Sequence, residues 1–172
     1  MDRPTPFQTG LKYGLITSLL GIIASLILYS TGSGDPTGSS LQFGVSIIIY
    51  VTGLYLGFDA FKRGNEGFAS LGELVKVAIF IGLITGGISG VFTYIYMQYI
   101  DTDIMTKIFD QQRLVLEDKG LSDKEIDQAL EMAKSFMSPK FLIPIQIITS
   151  VITLTILGLI VGAIMKKNRP AF

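Results

Sequence analysis

The chain has 172 residues, 49% of them hydrophobic and 16% charged, with a formal net charge of zero and a mean hydropathy of +0.53. That balance is too apolar for an ordinary soluble domain and points to an integral membrane protein. The absence of Cys and His excludes disulfides, thiolate chemistry, the commonest metal ligand and the usual general base near neutral pH, so neither an enzyme nor a metal or cofactor site is expected.

Met1 to Gly10 holds two prolines and reads as an irregular lead-in. The first span is predicted at about 11–30. Its single charge, Lys12, lies at one end, where a long stem can reach the headgroups. A signal peptide is the competing reading, but the apolar run exceeds the roughly 7 to 15 residues of a usual signal core. At about 100° per residue, Gly10, Gly14, Thr17, Ser18, Gly21 and Ser25 share one arc, a face of small side chains.

A turn-rich connector, TGSGDPTGSS, occupies 31–40. Its glycines and Asp35-Pro36 forbid a continued helix. The second span is predicted at about 41–61, with Gly53 and Gly57 four apart near its later end. Phe68 to Lys76 reads as a partly amphipathic lead-in lying at the interface.

The third span is predicted at about 74–100. Val77 to Ile100 is 24 residues without a formal charge. At ~1.5 Å per residue it would extend about 36 Å, enough for a hydrocarbon core of about 30 Å. Gly82, Gly86 and Gly90 form a double GxxxG, sharing an arc with Thr85, Ser89 and Thr93, while Phe80, Ile84, Val91 and Ile95 lie opposite. Apolar side chains gain little by leaving lipid, so such faces are where helices pack. The matching small faces of the first and third spans predict that these two helices touch and run parallel.

Asp101 to Lys140 is the only sizeable polar region. Its first half places Ile104, Met105, Ile108, Phe109, Val115 and Leu116 on one side, with Gly120 positioned as a C-terminal cap. The second half opens on the capping-box spacing Ser122 to Glu125 and continues with Ile126, Ala129, Leu130, Ala133, Phe136 and Met137 at helical period. Two amphipathic helices joined by a tight turn are expected. The fourth span is predicted at about 141–165, with Pro144 in its first turn and Gly158 and Gly162 adding another GxxxG.

Both termini and the second loop carry eight cations against four acids, a net of +4, whereas the hairpin and first loop carry six cations against ten acids. The positive-inside rule then places both termini in the cytoplasm and the acidic hairpin outside. Asp59, Arg63, Glu73 and Lys76 are read as interfacial ion pairs tying the second helix to the third. A cation or proton gate is the competing role. No charge lies at mid-membrane, which argues against proton-coupled transport. Trp is absent, so Tyr50, Tyr94, Tyr96 and Tyr99 suit an interfacial belt. With Gln98 and Gln146, the same tyrosines could instead line a polar crevice. The hairpin acids contain no calcium-loop motif, and nothing suggests nucleic acid.

KYGLITSLLGIIASLILY, FKRGNEGFASLGELVKVAIFIGLITGGISGVFTYIY and GLSDKEIDQALEMAKSFMSPKF together resemble a bacterial family of four-span membrane proteins catalogued as domain of unknown function 4199. The resemblance covers nearly the whole chain. It implies a four-helix membrane protein of Gram-negative bacteria, implies no activity and supplies no functional residues.

The expectation is therefore one all-α membrane domain over 1–172. It is an integral membrane four-helix bundle with an extracytoplasmic amphipathic hairpin at 101–140, seated in the bacterial inner membrane. Its expected role is a non-enzymatic accessory or scaffold subunit, with a small transporter or channel as the alternative. The expected partners are the lipid bilayer, a protein engaged by the hairpin, and a second copy if small faces remain unused.

Overall fold

The computed structural model describes residues 3–31 and 40–169. Most of the connector expected at 31–40 lies outside them. The described residues form α1 (Pro6–Ser30), α2 (Ser40–Gly64), α3 (Leu71–Ile95), a π turn (Tyr96–Ile100), α4 (Ile104–Asp118), α5 (Asp123–Phe136) and α6 (Pro139–Met165). The fold is all-α. α1, α2, α3 with its π turn, and α6 are each long and apolar enough to cross a membrane.

α3 is the central helix, packed on α1 along one side and on α6 along another, while α2 leans on α1 and α6. Phe7 meets Phe80 at one end of the α1–α3 contact and Tyr29 stacks on Tyr96 at the other, so α1 and α3 run parallel. Leu54, Phe58, Leu74, Val77, Ala78, Ile81 and Leu154 form a core close to the chain termini. Leu19, Ile23, Ile27, Ile48, Ile152, Ile156 and Ile160 point outward. An apolar exterior around such a core is the surface a bilayer requires.

The helix starts differ from expectation in two places. Within the lead-in expected at Phe68 to Lys76, α3 already begins at Leu71. Ala69 exchanges two 2.9 Å backbone hydrogen bonds with Lys167, and Ser70 then caps α3 in a capping box with Glu73. The first turn of α6 holds Pro139 rather than Pro144. Only at the start does a proline's missing N–H coincide with a donor the helix leaves unpaired, so α6 begins at Pro139 and carries Pro144 within it.

The hairpin turns at Gly120, whose φ of +78° favours a residue without a Cβ. Gly120 N–H donates to Glu117 O at 2.8 Å and Leu121 N–H to Leu116 O at 3.3 Å, closing a Schellman motif. Ile104, Ile108, Ile126 and Leu130 are buried, and Arg113 pairs with Asp127 between the two helices. Val115 and Phe136, expected on the apolar side, are each 51% exposed. The reason for Val115 is a groove of about 790 Å³ between α4 and the adjacent ends of α3 and α6, bordered by Leu114, Val115, Met97 and Leu142.

Candidate functional site

The glycines are consumed mainly inside the chain. A Cβ on Gly82 would lie 2.8 Å from Val151 Cα, one on Gly86 2.6 Å from Ile147 Cα, and one on Gly90 3.3 Å from Ile143 Cα. Three glycines four apart thus meet three β-branched residues four apart, a ridge-into-groove match. Gly10 faces Phe80, and a Cβ on Gly14 would lie 2.7 Å from Ile84 Cβ. α1 and α3 therefore touch, but the small face of α1 receives bulky residues while the glycines of α3 receive α6. Two small faces in direct apposition would leave voids without dispersion partners.

The other small residues are placed the same way. Gly53 faces Thr17 Oγ1, Gly57 faces Ile81 and Tyr13, Gly158 faces Ala78, and Gly162 faces Leu71 and Leu74. Gly21 has open space beside it. Thr85 Oγ1 donates to Gly14 O at 3.3 Å, a buried hydrogen bond between α3 and α1.

The four expected ion-pair residues do not tie α2 to α3. Asp59 pairs with Arg63 one turn along its own helix. Glu73 accepts from Ser70 N–H and Oγ–H, each at 2.8 Å, while Lys76 is exposed one turn along α3. The helix start claims the Glu73 carboxylate because its first backbone donors have no other partner. A different cluster joins this end of the bundle. Glu66 accepts from Arg3 at 2.9 Å and pairs with Arg169 at 3.3 Å, Arg169 donates to Asn65 at 3.1 Å, and Lys62 Nζ donates to Met165 O at 2.7 Å. Glu66 adopts φ +58°, an uncommon conformation for a residue with a Cβ. The N-terminal lead, the α2–α3 loop and the C-terminal tail thus meet on one side.

At the hairpin end, the four long helices enclose a cavity of about 320 Å³. Thr17, Ser25 and Tyr29 of α1 line it, followed by Gln42, Ser46 and Tyr50 of α2. Thr85, Ser89 and Thr93 of α3, Tyr96 of the π turn and Gln146 of α6 complete its polar lining, and Ile104 of α4 stands at its rim. Among the described residues, none in the lining is Asp, Glu, Lys or Arg.

Tyr50, Tyr96 and Gln146 from the anticipated crevice are therefore present. Tyr94 and Gln98 border a separate hollow beside Met105 and Pro139, and Tyr99 is 74% exposed. Tyr29, Gln42 and Ser46 were not singled out from the sequence, and Ser89 was read only as part of the small face of the third span. Their signal was spacing: positions 17, 21, 25 and 29, positions 42, 46 and 50, and positions 85, 89 and 93 each advance by four and share a face.

Outside the spans, the carboxyl of Glu125 is held below its ordinary pKa, chiefly by the hydroxyl and then by the backbone N–H of Ser122. Among the described residues, no three His, Cys, Asp or Glu side chains gather as a metal site.

The four apolar helices and their packing define a multi-pass membrane protein. More specifically, the chain belongs to the family described as Protein of unknown function (DUF4199), whose model matches residues 12–167. No curated protein and no solved structure matches it.

Proposed function

We propose that this protein is a non-enzymatic accessory or scaffold subunit of a bacterial inner membrane, with both termini in the cytoplasm. Its bundle is the rigid base, and its acidic hairpin engages a protein partner outside. The observation that carries this reading is the division of labour in the packing. Most glycines of α1, α2, α3 and α6 are packed against other parts of the chain, whereas the hairpin leaves Leu114, Val115, Met132 and Phe136 exposed among its acids. Exposed apolar residues rimmed by charge suit a protein partner, and the acidic excess on that side suits a basic one.

The packed apolar core toward the termini supports a scaffold over a channel. The polar cavity at the other end favours the alternative of a small transporter, which would require that core to open.

The test is purification in native nanodiscs with mass determination of the intact complex. The expected result is a stoichiometric partner with a basic extracytoplasmic segment, lost on combining Leu114→Ser with Met132→Ser. A monomer or homo-oligomer carrying only lipid or small molecules would overturn the accessory reading.

A further inference from the structure

The cavity at the hairpin end is more polar than its position between membrane-spanning helices requires. Eleven of its lining side chains can hydrogen-bond, and they come from all four long helices and the π turn. Several are already engaged as donors. Ser25 donates to Gly21 O at 2.6 Å, Ser46 to Gln42 O at 2.8 Å and Thr85 to Gly14 O at 3.3 Å. Each such hydroxyl oxygen retains a lone pair, and so presents an acceptor. Ser89, Thr93 and Gln146 make no hydrogen bond to the described residues and offer both donors and acceptors.

Thr17 Oγ1 in the same wall is buried without a partner, and polar groups so placed favour an occupant that hydrogen-bonds. Among the described residues the walls carry no formal charge to offset the desolvation of an ion. These walls favour a neutral occupant. The stacked rings of Tyr29 and Tyr96, with centroids 6.0 Å apart, and the nearby Phe92 add apolar surface for a ligand's C–H groups. At ~30 Å³ per water, the volume holds about ten waters, or one solute of about a dozen non-hydrogen atoms with a few waters. It falls at the small end of ligand pockets.

We propose that this chamber binds an uncharged polyhydroxylated group of about monosaccharide size, supplied either as a free solute or as the headgroup of a glycolipid. Ile104, only 3% exposed, stands at the rim and couples access to the position of the hairpin.

The chain has no native cysteine, so Ser89→Cys places a single thiol in the cavity wall. The intact protein in nanodiscs is treated with neutral hydroxyethyl, anionic sulfonatoethyl and cationic trimethylammonioethyl methanethiosulfonate. Ser135→Cys on the exposed face of α5 normalises the reagents. The expected result is a preference of about ten-fold for the neutral reagent at position 89, reflecting the penalty for bringing charge into the chamber.

Glucose in solution and monoglucosyl diacylglycerol in the nanodisc are then tested as protectants of the same thiol. Protection by glucose assigns the free solute, and protection by the glycolipid alone assigns the lipid-borne group. Equal rates for the three reagents, or no reaction at 89 while 135 reacts, would overturn the proposal. So would the failure of both protectants.

Discussion

Gly86 and Ile147 meet backbone to backbone at the centre of the α3–α6 contact, where a Cβ on the glycine would lie 2.6 Å from Ile147 Cα and 2.9 Å from Gln146 O. Backbone atoms cannot yield as a flexible side-chain end can, so any side chain larger than hydrogen must push the helices apart. In lipid, that separation forfeits the dispersion contacts that hold them together.

Gly86→Ala is therefore expected to lower bundle stability by about 1–3 kcal/mol, the usual cost of overpacking. Gly86→Leu should prevent the native α3–α6 contact. The adjacent Gly87 has nothing within 4 Å of an added Cβ. Gly87→Ala should consequently be neutral or stabilise by roughly 0.4–1 kcal/mol through the unfolded chain. Thermal unfolding in one detergent checks the pair, and equal losses at 86 and 87 would disprove the contact.

Thr85 tests the neighbouring α1–α3 contact by chemistry rather than volume. Thr85→Val retains the shape and removes the donor to Gly14 O, whose bond is 3.3 Å long and buried. Hydrogen bonds between membrane helices average about 0.6 kcal/mol. The expected loss is therefore smaller than that of Gly86→Ala, measurable by reversible unfolding in bicelles. A loss above that of Gly86→Ala would show that this bond, rather than glycine packing, dominates the bundle.

Four spans and their small faces were legible in the sequence because hydropathy and the four-residue step are local properties. The partner of each face was not legible. Gly14 and Gly86 belong to similar patterns, and only the packing decides that one receives Ile84 and the other Ile147. Glu73 illustrates a competition visible in the sequence but resolved by structure. Its spacing from Lys76 suits an ion pair, yet Ser70 three residues before it completes a capping box. The polar cavity was partly legible through Tyr50, Tyr96 and Gln146. Ser89 was legible only as a small residue of a packing face, and Ser46, which donates to Gln42 O in its own helix, carried no signal of a cavity.

Glu66 brings two opposing effects together. Its φ of +58° costs a residue with a Cβ about 1–2 kcal/mol, while its exposed pairs with Arg3 and Arg169 contribute about 0–1 kcal/mol each. Glu66→Gly removes both, and because the two effects oppose it should alter stability by no more than about 2 kcal/mol. Glu66→Ala retains the strain and loses the pairs, so it should be the less stable variant. Thermal unfolding at low and high salt distinguishes them, because only the wild type should lose stability through screening of these pairs.

The start of α5 should respond to acid in one direction. Ser122 stabilises the ionised carboxylate of Glu125 and lowers its pKa. A depressed folded value contributes stability above the unfolded pKa of about 4.3, and that contribution is lost as pH falls through the lower folded value. Amide protection factors at Glu125, Ile126 and Asp127 should therefore hold near neutral pH and fall below about pH 4. Glu125→Ala should lower them at neutral pH and remove the transition, leaving the amides around Leu154 unchanged. Hydrogen exchange read residue by residue is the measurement. Protection at Ile126 that stays flat into acid would mean that packing of Ile126 and Leu130, both buried, holds the first turn without its cap.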